Sequence, residues 1–243
     1  MIIRALGQQP ISVDTLARLT GASPVTVRRD LTDLEGHGLL RRVHGGAVAV
    51  DLRGRPLPYA LRAAENADGK AAIAATVAGL VSDDMSVVLD NGSTVVAVAE
   101  ALVGRPLTAL CLSLRTAVAL GASREPTIVT PGGPVAPESL RATASASLVA
   151  LDGFRADLAV VGACSATPTQ GLTVTTYEDA QIKKAILAAS ARVVLAATGD
   201  KLQRTSSFRF GSLEDLDDLV TTRDAPPSAL DAFREAGVRV HLA

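Results

Sequence analysis

Apolar positions in the first fifty residues recur at helical spacing in three short runs, each closed by a residue that breaks helices. Ile2, Ile3 and Leu6 share one face before Pro10 ends the first run. The second starts at Ser12, a residue type that caps helix N-termini, and stops at Gly21, with Val13, Leu16, Ala17 and Leu19 read as inward. The third has Ser23 as its cap and Pro24 at its first position, where a missing N–H costs nothing. It runs to about Glu35, and Gly36 and Gly38 end it. Residues 39–50 are β-prone on both sides of His44-Gly45-Gly46, which predicts a hairpin with a glycine turn. Three short helices followed by a hairpin predict a winged helix-turn-helix over residues 1–50.

A stretch with Gly54, Pro56 and Pro58 reads as a linker, assigned to 51–64. Helical patterns then alternate with continuous apolar runs. Helices are expected at 65–81, 94–102, 114–121, 139–151, 177–190 and 228–236. Strands are expected at 85–90, 107–113, 127–131, 158–163, 192–197, 218–222 and 238–242. Strands apolar throughout and alternating with helices predict an α/β domain over 65–243, with a mainly parallel sheet covered on both faces.

Composition sharpens this picture. Hydrophobic residues make up 48% of the 243, enough for a core, but aromatics are 2% and tryptophan is absent. The core is therefore aliphatic, and proteins that stack single-stranded bases on aromatic platforms are disfavoured. The net charge of −1 divides unevenly: residues 1–55 hold eight arginines against five acids, leaving the remainder acidic. A basic arm on an acidic body suits a small nucleic-acid module joined to another function. Cys111 and Cys164 lie in apolar runs with no CxxC pair and no neighbouring histidine, so buried thiols are expected and no metal site. No run of eighteen apolar residues and no signal peptide is visible, so a soluble cytoplasmic protein without a membrane partner is expected.

At 100° per residue, Val27, Leu31 and Leu34 share the inward side of the third helix. Val25 and Arg29 lie opposite, with Thr32 beside them and Arg28 at the boundary. A solvated face carrying an Arg29–Asp33 pair worth ~0.3–0.5 kcal/mol is the plain alternative. Its position after a helix-turn unit and before a basic hairpin favours a DNA-reading helix, whose arginines meet guanine edges or phosphates and whose methyl groups meet thymine. Arg41, Arg42 and His44 on the hairpin are placed to reach phosphates or the minor groove.

The stretch "LARLTGASPVTVRRDLTDLEGHGLLRRVHGGA" resembles the DeoR family of bacterial transcriptional regulators. This resemblance implies that Ser23, Val25, Thr26, Arg28 and Arg29 lie on the recognition helix and Arg41, Arg42 and His44 on the wing. It also implies a double-stranded DNA operator as partner.

In the body, "LDNGST" (89–94) joins a strand to a helix. Gly92 admits close backbone approach, and the N–H groups and hydroxyls of Ser93 and Thr94 make an anion site at a helix N-terminus. A turn with an ordinary cap is the alternative, but "PGG" (131–133) and "ATGDK" (197–201) also end strands, where open parallel sheets bind ligands. The resemblance continues here, to the family's effector domain, similar in fold to ribose-5-phosphate isomerase and the CoA-transferases. It implies effector contacts at Asp90, Asn91, Gly92, Ser93, Thr94, Ser113, Gly132, Gly133 and Lys201. Cys111-Leu112, Cys164-Ser165 and Ala197-Thr198 depart from the family's polar pattern. The implied function is a repressor gated by a phosphorylated sugar or related metabolite, a homodimer or homotetramer, with no cofactor. Two rivals are a ligand-blind DNA binder and a sugar-phosphate isomerase, for which Asp90 is the sole well-placed base. His37 and His241 lie near no recognised loop, and no catalytic residues are assigned.

Overall fold

The structure, a computed structural model, describes residues 2–6, 9–36, 40–49 and 58–243. The chain divides into two compact units, Met1–Pro58 and Tyr59–Ala243.

In the first unit α1 (Ile2–Ala5) leads to β1 (Ile11–Ser12), α2 (Val13–Thr20), α3 (Pro24–Gly36), β2 (Leu40–Val43) and β3 (Gly46–Ala49). Ser12 caps α2 by accepting from the Thr15 N–H at 3.2 Å, and Gly21 closes it in the left-handed region. Leu16, Val27, Leu31, Leu40 and Ala47 form the buried centre. Leu19 departs from the expected inward side and is 54% exposed. At 100° per residue it falls well off the direction shared by Val13, Leu16 and Ala17. β1 is too short for a periodic signal, yet it adds a third antiparallel strand by pairing with β3. A Cβ at Gly46 would sit 2.1 Å from the Ile11 carbonyl oxygen, so this pairing requires glycine there.

The second unit begins inside the expected linker. α4 (Tyr59–Ala64) is helical and packs with the body, while 51–57 lie outside the described residues. There follow α5 (Ala67–Ala78), β4 (Ser86–Leu89), α6 (Ser93–Ala101), β5 (Thr108–Cys111), α7 (Leu114–Leu120), β6 (Thr127–Val129), α8 (Ala144–Asp152) and β7 (Leu158–Val161). β8 (Ser165–Thr167), β9 (Gly171–Val174), α9 (Tyr177–Ala189), β10 (Val193–Ala196), β11 (Phe208–Gly211), β12 (Asp218–Thr221), α10 (Pro227–Glu235) and β13 (Arg239–Leu242) complete the chain.

Seven strands form one sheet in the order β13-β12-β10-β7-β4-β5-β6, with every pairing parallel. Alternate strand residues feed two cores. Val87, Leu89, Val160 and Val194 meet α5, α6 and α7 on one face. Val88, Ala159, Val161 and Leu195 meet α8, α9 and α10 on the other. β8, β9 and β11 make a separate antiparallel sheet that the sequence pattern did not resolve. The expected helix at 139–151 starts only at Ala144. Before it, the chain folds back through the bridges Val135↔Ala142 and Ser113↔Arg141. Cys111 is buried, and burial raises its thiol pKa to about 12; Cys164, expected buried, is partly exposed.

The sheet reverses its direction of growth between β4 and β7. The chain lays β5 and β6 to one side of β4, then returns to place β7, β10, β12 and β13 on the other. A crevice at the carboxyl ends of β4 and β7 follows from that topology, and it is where open α/β sheets take ligands.

Candidate functional site

Two surfaces carry the chemistry. On α3, the Ser23 hydroxyl accepts from the Thr26 N–H at 3.1 Å and lies 2.9 Å from the Thr26 hydroxyl, so both are spent on the cap. Val25 is 73% exposed, an apolar side chain in water. Arg28 and Arg29 are exposed beside it, while Val27 and Leu31 face the core. On the hairpin, Arg41 and His44 are exposed. Arg42 is also exposed but committed: its Nη1 donates to the Thr32 hydroxyl at 2.9 Å and its backbone N–H to Glu35 Oε1 at 2.8 Å. These two bonds fasten β2 to the back half of α3.

The second surface lies at the β4/β7 crevice. Asp90, directly after β4, is fully buried. Its Oδ2 accepts from the Gly162 N–H at 3.1 Å and pairs with the Lys183 ammonium on α9. Asn91 donates to Asp90 Oδ1 at 3.2 Å and to Asp179 Oδ1 at 3.0 Å, and Arg141 Nη1 donates to that same Asp179 oxygen at 2.9 Å. Asp179 and Lys183 are four residues apart on α9 and so share a face. Burial pushes the Asp90 carboxyl upward, against the pull of Lys183. For Lys183, burial pulls down, but the Asp90 and Asp179 carboxylates outweigh it and hold the ammonium above its usual range. Asp179 feels burial upward too, and Lys183 and Arg141 override it to keep the carboxylate ionised.

This network anchors the start of the 90–94 loop. Gly92 caps α6 at φ 127°, ψ 156°, a conformation L side chains rarely adopt, with open space where a Cβ would stand. The first N–H groups of α6, on Ser93 and Thr94, are those with no partner inside the helix. The Ser93 hydroxyl donates to the Arg62 carbonyl at 3.2 Å, and the buried Lys70 ammonium donates to the same carbonyl. Burial lowers the Lys70 pKa.

The remaining sequence-derived positions divide. Ser113 is buried and caps α7, accepting from the Thr116 N–H at 3.2 Å with the Thr116 hydroxyl at 2.8 Å, so it is not open to a ligand. Gly132 and Gly133 are exposed after β6, Gly133 at φ 88°. Lys201 sits in the 3-10 turn Gly199–Gln203 and pairs with Asp200 at 3.1 Å. His37 lies outside the described residues, and His241 bonds Asp218 at 2.8 Å, at the start of β12 and away from the crevice. Sequence reasoning missed Arg141, Asp179 and Lys183 as members of the site. The i,i+4 spacing of the last two was visible, but Asp90, the partner of Lys183, lies 93 residues away.

A family model described as the DeoR-like helix-turn-helix domain matches residues 1–53, and one described as the DeoR C terminal sensor domain matches 65–223. The HTH-type transcriptional regulator GlpR of Haloferax volcanii is 31% identical over 230 residues, covering 94% of this chain and 90% of that protein. The glycerol-3-phosphate regulon repressor of Escherichia coli is 28% identical over 243 residues, with 99% and 96% covered. The HTH-type transcriptional repressor GlcR of Bacillus subtilis is 26% identical over 230 residues, with 95% and 89% covered. Among solved structures, ribose 5-phosphate isomerase A of Methanocaldococcus jannaschii aligns with a TM-score of 0.43 at 20% identity, over 57% of this chain and 55% of that one. Matched in both units by the family's own domain models, and along nearly all its length by regulators, this chain belongs to the DeoR family of transcriptional regulators.

Proposed function

We propose that this protein is a sequence-specific transcriptional repressor whose affinity for double-stranded DNA falls when a phosphorylated sugar or related phosphometabolite occupies the β4/β7 crevice. Family membership and the names of its relatives, two of them repressors, support the class. The observation that carries the effector reading is the 90–94 loop: a positive-φ glycine opens the α6 N-terminus, and a buried polar network fixes the loop from below. Backbone N–H groups there meet an anion with the helix dipole behind them.

On the DNA side, Arg28, Arg29 and Val25 form the reading face of α3, with Ser23 and Thr26 setting its first turn. Arg41 and His44 extend to the backbone from the wing. A single arm with a balance of +3 neutralises few phosphates, so a homodimer or homotetramer reading repeated half-sites is the working assembly. Control by ligand requires that the effector bind the DNA-competent and DNA-incompetent arrangements with different affinity. Turnover is disfavoured, because Asp90, the carboxylate best placed as a base, is buried and paired with Lys183.

The test is a thermal-shift screen of phosphorylated sugars and glycerol phosphate, on the wild type and on Gly92→Asp. A ligand at ~100 times its Kd raises the melting temperature by about 5–10 °C for a unit of this size. The aspartate puts a negative charge in the open space at the cradle, so the shift disappears while the unliganded variant still melts cooperatively. Hits that survive the substitution place the site elsewhere, and a screen without hits indicates a ligand-blind DNA binder.

A further inference from the structure

Among the described residues, two side-chain nitrogens are buried without a hydrogen-bond partner: Nε of Arg115 and Nε of Arg141. The Arg141 guanidinium reaches the 90–94 loop through Asp179, and Arg115 precedes Thr116, which bonds the Asp90 carbonyl. An orphaned buried donor costs the protein its desolvation, and charged groups pay most.

The fold brings the backbone segments that carry the two arginines side by side. Ser113 and Arg141 form an antiparallel bridge, and the Leu114 N–H donates to the Leu140 carbonyl at 2.9 Å, so Arg115 and Arg141 leave adjacent chain segments. Leu140, next to Arg141, holds φ 53°, an unfavourable conformation for a branched side chain. The Arg115 guanidinium lies 4.1 Å over the Tyr59 ring, which fixes its plane. Its Nη2 has a backbone carbonyl of Glu138 at 3.4 Å, and no carboxylate among the described residues pairs with it. Arg141 spends Nη1 on Asp179, the oxygen it shares with Asn91, one residue before Gly92. Arg115 is tied to the same loop through its neighbour, for the Thr116 hydroxyl donates to the Asp90 carbonyl at 3.3 Å. The end of β5 itself offers the crevice only Cys111 and Leu112, both fully buried.

We propose that Arg115 and Arg141 form a second anion subsite, and that the effector carries two acidic groups: a phosphate on the α6 N-terminus and a further phosphate or carboxylate on the two guanidiniums. The inference rests on the effector reading above. A guanidinium is a planar donor matched to either group, and the Tyr59 and Asp179 contacts hold the two arginines in place before the ligand arrives.

Dissociation constants are measured by calorimetry for two matched pairs: glycerol 3-phosphate against 3-phosphoglycerate, and fructose 6-phosphate against fructose 1,6-bisphosphate. The first pair adds a carboxylate, the second a phosphate. In the wild type the doubly acidic member of at least one pair binds on the order of 10- to 100-fold more tightly. Arg115→Gln removes most of that ratio while leaving the singly phosphorylated member within about 3-fold; Arg141→Gln, which also releases Asp179 from the network beneath the 90–94 loop, removes the ratio and weakens both members of a pair. Arg115→Lys, which keeps the charge but lacks the fork, loses it as well; should Arg141→Gln fail to fold, the two Arg115 variants decide. Equal binding within both pairs, or a ratio that survives at Arg115, overturns the subsite. Monophosphate binding that depends on Gly92 but shows no ratio overturns the subsite alone; no binding by any of the four overturns the effector reading with it.

Discussion

Gly92 and Lys183 do opposite kinds of work in the crevice. Gly92 leaves space and a backbone angle that a side chain resists; Lys183 fills space and supplies a charge that Asp90 needs. Only the first was legible in the sequence, because Asp-Asn-Gly-Ser-Thr is a local signal whereas the Asp90–Lys183 pair depends on α9 crossing the end of β4. Leu19 teaches the same lesson from the other side: an apolar residue type is not an inward direction. The ion pair makes a sharp prediction. Lys183→Met leaves Asp90 buried without its counter-charge and lowers stability by ~3–5 kcal/mol, read as a reduced denaturant midpoint at unchanged slope. Burial already holds the Asp90 carboxyl above its unfolded value, and losing Lys183 raises it further. A raised carboxyl contributes stability at low pH and loses it as pH rises. The deficit of Lys183→Met relative to wild type therefore narrows as pH falls from about 7 to about 5.

Among elements, those with their own start and stop residues were readable. Ser12 and Gly21 bound α2, Ser23 caps α3, and the expected runs of five to seven residues became the parallel strands. β1, β8, β9 and β11 were not, since strands of two to four residues show little period, and β1 and β11 are defined by partners distant in sequence. α4 was hidden in a stretch assigned to the linker by Pro and Gly content. The junction of wing and α3 was likewise invisible, and it gives Arg42 a structural role. With Nη1 on Thr32 and its backbone N–H on Glu35, Arg42 holds β2 to α3. Binding to a duplex selected by the protein from random sequence, titrated over about 0.05–0.2 M salt, separates the roles. Arg41→Ala reduces the log–log salt slope by ~0.9, whereas Arg42→Ala weakens binding at unchanged slope.

For the whole molecule, a DNA-reading unit and an effector unit share one chain, and control by ligand requires that occupancy of one change the affinity of the other. Linkage makes the coupling reciprocal: a ligand that weakens DNA binding is itself bound less tightly by the DNA complex, typically by ~5–150-fold. Two compact units separated near Pro58 and matched by two domain models fit that division of labour. The most direct measurement is the Kd for the selected duplex at fixed salt, with and without the sugar phosphate that gives the largest thermal shift, for wild type and Gly92→Asp. If the crevice gates DNA binding, ligand raises the wild-type Kd at least about 5-fold and leaves the Kd of Gly92→Asp unchanged. An equal Kd with and without ligand in the wild type, or an equal response in both proteins, would contradict it.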